Sequence, residues 1–187
     1  MDPKLRAQAG HYEILGETYA KFEFFNHNWN PYSRFLDVDK VDFILRRNLK
    51  TGPIYREVQV KFGKLYEVGP KWERALFDVT SWRFFKEDDF RNVGSHLFLA
   101  YVLSRDDRYD GDFFIFPIRE FESIIRAAPV VGKEKDKEKH RMYISHCLGE
   151  GNHWVLRKES SFKAITEETC LDVTNYYRNF SILEPEL

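Results

Sequence analysis

Residues 41–61, VDFILRRNLKTGPIYREVQVK, hold the side chains best suited to do chemistry. They read as a strand carrying Asp42, a turn, and a strand carrying Glu57, Gln59 and Lys61. Side chains on a strand alternate between its two faces. Glu57, Gln59 and Lys61 therefore share one face, and Val58 and Val60 the other. Asp42, Ile44 and Arg46 lie on one face of the earlier strand, with Val41, Phe43 and Leu45 opposite. Paired, the two strands are expected to gather an Asp, a Glu or Gln and a Lys on a polar ledge above an apolar layer. A carboxylate, a second oxygen ligand and an ammonium around one point make a site for magnesium-assisted phosphodiester hydrolysis.

Asp42 is the strongest candidate. A carboxylate inside an otherwise apolar strand is costly to desolvate unless it binds a cation or accepts hydrogen bonds. The alternative is an edge-strand Asp that caps a neighbouring turn. Asp37 and Asp39 are substitutes, because a one-residue register shift re-aims the strand. Gln59 can offer an oxygen to Mg²⁺ but brings no charge, so a further carboxylate is wanted. Glu57, two residues earlier on the same face, can supply it, or can pair with an arginine such as Arg46.

The order helix, Asp-bearing strand, QVK strand resembles the PD-(D/E)xK nuclease superfamily, which includes restriction enzymes and archaeal Holliday-junction resolvases. The variant with Gln at position 59 is similar to the Mrr-like type IV restriction endonucleases. The likeness runs from the first helix to Lys61, about a third of the chain. It implies an α/β, restriction-endonuclease-like fold, a central mixed β-sheet flanked by helices. It also implies Mg²⁺ (or Mn²⁺) as cofactor, DNA as partner, and 5′-phosphate and 3′-hydroxyl products. Carried over residue by residue, Asp42 and Gln59 are metal ligands and Lys61 orients or deprotonates the attacking water. Glu17 stands where related resolvase-like nucleases place a helix Glu beside the metal. Gln59 in place of an acid keeps a second class open, a catalytically degenerate nucleic-acid-binding or protein-interaction module.

Bulk properties agree with one domain over 1–187. Hydrophobic residues make up 43% of the chain and aromatics 17%, enough to fill a core. No apolar run approaches a bilayer span, and MDPKLRAQAG lacks the apolar stretch of a signal peptide. Cys147 and Cys170 do not make a disulfide framework, which suits a reduced, cytoplasmic setting. A net charge of −1 makes no whole-chain case for nucleic acid. Residues 46–74, however, carry eight basic residues against three acidic ones, a basic surround for a phosphate backbone. A domain this small has a small DNA footprint, and a homodimer would place two sites on a duplex.

The elements that must position these residues follow from periodicity. Residues 3–26 predict a helix, with Pro3 at its start and Leu5, Ala9, Tyr12, Leu15, Tyr19 and Phe22 as its buried stripe. Gly10 and Gly16 allow close packing on the sheet. Residues 64–90 predict irregular structure, a short strand around Ala75–Val79 and a short helix after Ser81. HLFLAYVLSR (96–105) predicts a central strand, FFIFPI (113–118) another, and REFESIIRAA (119–128) a helix. The charge run KEKDKEKHR (133–141) predicts a solvated loop. RMYISHCL and HWVLRKE predict two strands joined by GEGN, and Glu167–Phe180 a closing helix. His140, His146, Cys147 and His153 match no closed zinc pattern. Trp72, Trp82, Tyr101 and Trp154 are candidates to stack on bases.

Overall fold

The stretch at the start of the chain folds as α1 (Pro3–Asn26), and an asparagine ends it. Asn28 takes φ 64°, the Asn28 N–H donates to the Phe25 carbonyl, and the Trp29 N–H donates to the Phe24 carbonyl. This is a Schellman C-cap, with Trp29 and Phe24 sharing one apolar cluster as its hydrophobic contact. The computed structural model describes residues 3–33, 40–86, 89, 94, 96–105, 108–131, 139–149 and 151–185, with backbone alone for 3–9 and 131. The helix turns Gly16, Ala20, Glu23 and Phe24 inward, with Tyr12, Leu15 and Tyr19 half-buried. Phe22 departs from the expected stripe and is 62% exposed. The close packing expected at glycine is found at Gly16, where a Cβ would stand 3.0 Å from Phe62 Cβ.

The strands β1 (Asn30–Ser33), β2 (Phe43–Leu49), β3 (Gly52–Lys64), β6 (Leu97–Ser104) and β7 (Phe113–Pro117) form a five-stranded sheet in the order β1-β2-β3-β6-β7. β2 and β3 are an antiparallel hairpin turning at Lys50–Thr51, whereas β3 and β6 run parallel, so the sheet is mixed. The expected α/β architecture with a central mixed sheet is therefore present. A parallel pair needs a crossover, and here strands supply it. β4 (Tyr66–Glu67) and β5 (Phe77–Lys86) leave the first sheet and join a second one. That sheet runs β11-β10-β9-β5-β4, with β9 (Lys139–Cys147), β10 (Trp154–Arg157) and β11 (Cys170–Asp172), and β8 (Val130–Val131) pairing with β9.

Period-two alternation divides the core. Phe43, Leu45, Val58, Val60, Phe98, Ala100 and Val102 pack under α1 and the C-terminal turn Phe180–Leu183. Leu97, Leu99, Tyr101 and Leu103 face the other way. They pack with Val79, Phe85, Met142 and Ile144 of the second sheet and with α2 (Ile118–Arg126), which buries Ile118, Phe121, Ile124 and Ile125. Three expectations are corrected here. The segment after Ser81 is not helical but continues β5, because Thr80–Lys86 pairs residue for residue with β9. A bulge between Phe77 and Val79 hides its alternation in the sequence. Lys139–Arg141 of the charge run belongs to β9, with His140 only 5% exposed; residues 133–138 lie outside the described residues. The tail is no helix: Cys170–Asp172 pairs with β10, and short 3-10 turns follow at Thr174–Tyr176 and Phe180–Leu183.

The C-terminal turn is tied to α1 through a buried acid. Arg178 donates from both Nη atoms to the Glu23 carboxylate, at 3.1 and 3.0 Å, and Tyr109 Oη donates to it at 2.6 Å. Among the described residues no helix is long and apolar enough to cross a membrane.

Candidate active site

The geometry of the site follows from a mismatch of strand lengths. β2 pairs with β3 only as far as Phe43↔Val58, while β3 runs on to Lys64. Among the described residues, no strand pairs with 59–64 on that side. An open edge carries backbone groups that need partners, and two side chains supply them. Asp42, one residue before β2, donates its own N–H to the Val58 carbonyl at 2.9 Å and accepts the Val60 N–H on Oδ2. Arg83 of β5 donates to the Phe62 carbonyl at 2.7 Å. Asp42 thus stands in for the ladder that β2 no longer provides, which fixes its carboxylate at the edge.

Along this edge lies a cleft of ≈ 580 Å³ between α1 and β5. Asp42, Glu17 and Lys61, three of the residues singled out from sequence, line it together. Glu57 and Gln59 are not among its lining residues. Gln59 is 7% exposed, in parallel register with Leu99, and Glu57 lies near Gly94. Of the polar ledge read from alternation, Asp42 and Lys61 open to the cleft, Gln59 is buried, and Glu57 is half-buried outside the cleft lining. Asp37 and Asp39 lie outside the described residues.

Lys61 is a perturbed group of the site. Burial and then the Arg83 guanidinium press its amine below the usual lysine value, against the opposing pull of Asp42, Asp89 and Glu13. A lowered amine pKa enlarges the neutral fraction that can accept a proton near neutral pH. Glu17 is held by Lys21 at 3.1 Å, one turn along α1. Lys64 lies over the Tyr12 ring at 4.6 Å, and Tyr12 stacks on Phe62 at 5.3 Å. The cleft floor demands a glycine. A Cβ on Gly63 would sit 2.3 Å from Tyr101 Oη and 2.7 Å from Ser81 Oγ, which share a hydrogen bond of 2.9 Å where the sheets meet.

Sequence reasoning missed Glu13 and Arg83. Glu13 had a signal, since it precedes Glu17 by one helical turn and lines the same cleft. Arg83 had none, because it arrives from the second sheet. The basic surround expected of residues 46–74 is dispersed. Arg47 pairs with Glu184, Arg56 donates to the Leu183 carbonyl at 2.9 Å, and Arg74 bonds the Gly69 carbonyl. From that run only Lys61 and Lys64 line the cleft. Of the four stacking candidates, Tyr101 and Trp154 are core residues and Trp72 is half-buried beside Arg157. Trp82, 45% exposed, lines the cleft.

Two further clusters are structural. Arg157, 1% exposed, donates to Glu73 and Ser145 at 2.8 Å each and lies over the Phe77 ring at 4.5 Å. Cys147 and Cys170 are free and buried, and burial pushes the Cys147 thiol up to about 12. His146 Nδ1 meets Asp78 at 3.0 Å and His153 lies 3.7 Å from Asp172. Among the described residues no three His, Cys, Asp or Glu side chains converge closely enough to hold a metal ion as a cluster. Mg²⁺ does not need such a cluster, since it commonly uses one or two carboxylates, keeps several waters and takes substrate phosphate oxygens. Asp42, Glu17 and Glu13 are the carboxylates that line the cleft. No family model matches the chain, and no curated protein and no solved structure matches it.

Proposed function

We propose that this chain is a metal-dependent DNA endonuclease of the PD-(D/E)xK kind, hydrolysing phosphodiester bonds in restriction, defence or repair. The observation that carries the reading is the meeting of Asp42, Glu17 and Lys61, from three separate elements, in one cleft. Mg²⁺ or Mn²⁺, when bound, would polarise a phosphoryl oxygen and lower the pKa of water. Asp42 and Glu17 are the carboxylates that would hold it, with Glu13 one helical turn from Glu17. Lys61, its amine depressed, takes the proton of the attacking water or offsets charge building on the scissile phosphate. Arg83 keeps that amine poised while it braces the β3 edge. Gln59, buried and outside the cleft lining, and Glu57, also outside it, are not used as ligands in this scheme. The free, buried cysteines suit a reduced, cytoplasmic setting, and a homodimer would place two clefts on a duplex.

Cleavage of plasmid and of single-stranded DNA in Mg²⁺ or Mn²⁺, with Lys61→Ala purified in parallel, tests the proposal. Wild-type cleavage that Lys61→Ala loses is the expected result. Equal cleavage by both proteins would refute the site. A second reading is a degenerate DNA-binding module, favoured by the uncharged, buried Gln59. Calorimetric titration with Mn²⁺ separates the two, since a degenerate cleft should take up no metal at millimolar concentration.

A further inference from the structure

We propose that the aromatic ledge at the cleft mouth takes unpaired bases, so that this site prefers single-stranded over duplex DNA. The inference rests on the nuclease reading and names its substrate preference. Trp82, Tyr66 and Phe84 are 45%, 44% and 39% exposed, large rings left open to water at one place. Trp82 and Tyr66 line the cleft themselves. Phe84, two residues along β5, shares the outward face of Trp82. Trp82 and Phe84 meet edge to face, with centroids 5.5 Å apart and planes at 74°. Rings in that contact do not cover each other's faces as a flat stack would.

Charge is arranged to match. The carboxylates Glu13, Glu17 and Asp42 line the side of the cleft formed by α1 and the β3 edge. Arg141, across the strand pair from Phe84, lies over its ring at 5.1 Å, whereas Arg83 points to the opposite face of β5 and donates to the Phe62 carbonyl. A strand whose phosphates approach Lys61 and Lys64 would have the Trp82 and Tyr66 rings beside its bases and the Arg141 guanidinium at the Phe84 end of the ledge. A duplex cannot use those rings, because its bases already stack on one another. Only unpaired bases offer a free π-face, and base–aromatic stacking is the sequence-tolerant grip of single-strand binders.

The test is fluorescence anisotropy with the full-length wild-type protein, without metal so that no cleavage occurs, using labelled oligo(dT) and a blunt duplex of equal length. Oligo(dT) should bind more tightly than the duplex. Trp82→Ala should weaken oligo(dT) binding by about 5- to 150-fold, the range for losing one stacked base. Trp82→Phe, which keeps a ring, should retain most of the affinity. Equal affinity for strand and duplex, or unchanged binding after Trp82→Ala, would overturn the proposal. Metal-dependent cleavage by the wild type is scored separately. Cleavage combined with an indifferent Trp82→Ala sinks the ledge and leaves the nuclease reading standing. Ring-dependent binding without cleavage supports the ledge and sinks the nuclease reading.

Discussion

Asp42 holds two roles that one pair of substitutions can separate. Its carboxylate accepts the Val60 N–H, and the proposed chemistry needs its negative charge. Asp42→Ala leaves the N–H of a buried residue without its acceptor; Val60 is 8% exposed. A lost hydrogen bond to a charged group costs about 1.5–3 kcal/mol, and partial exposure of Asp42 favours the lower end, about 1.5–2 kcal/mol. For a chain of this length each kcal/mol shifts Tm by roughly 2–4 °C, so Asp42→Ala should melt about 3–8 °C lower. Asp42→Asn keeps an oxygen in place and should lose no more than about 1 kcal/mol. Both variants should lose cleavage. Melting followed by tryptophan fluorescence, beside plasmid cleavage in Mg²⁺, reads the two roles independently. An Asn variant that cuts at the wild-type rate would refute the chemical role. An Ala variant that melts with the wild type would refute the edge hydrogen bond.

The remaining predictions concern the same cleft and its supports. Because burial and Arg83 lower the Lys61 pKa, the folded state releases that proton before the unfolded state does. Lys61 therefore opposes folding at neutral pH, and stability should rise as pH climbs from the folded value toward 10.5. Lys61→Met should flatten that rise in denaturation series across alkaline pH. Arg83→Gln should move the ascending limb of the cleavage pH profile, the limb set by deprotonation of Lys61, to higher pH, and an unmoved limb would show that Lys61 is not the titrating group. Gly63→Ala should cost about 1–3 kcal/mol by overpacking against Tyr101 and Ser81, measured by urea denaturation. Gly10→Ala, with no heavy atom within 4 Å of the new Cβ, should stabilise α1 by up to about 1 kcal/mol. Arg178→Met should cost about 3–5 kcal/mol, because Glu23 is 6% exposed and would be left without its cation. A loss under 1 kcal/mol there would mean that the C-terminal turn is not clamped to α1.

The sequence by itself determined the elements whose patterning is local. The extent of α1, the hairpin around LKTG, the all-apolar β6, and the FFIFP strand leading into α2 are each written in spacing that neighbouring residues alone satisfy, whereas the buried face of α1 (Gly16, Ala20, Glu23, Phe24) is not the stripe expected from periodicity. The same locality made Asp42, Lys61 and Glu17 visible, two by strand alternation and one by resemblance. Tertiary structure decided the rest. The alternation that put Gln59 and Lys61 on one face said nothing of what covers that face. The second sheet buries Gln59 and leaves Lys61 at an opening, because β3 outruns β2. Arg83 is separated from Lys61 by a crossover that no local pattern encodes, and β5 is a strand only because β9 pairs along it. The cleft is thus a product of unequal strand lengths and of how two sheets meet, and both are settled by long-range pairing rather than by any stretch of sequence read alone.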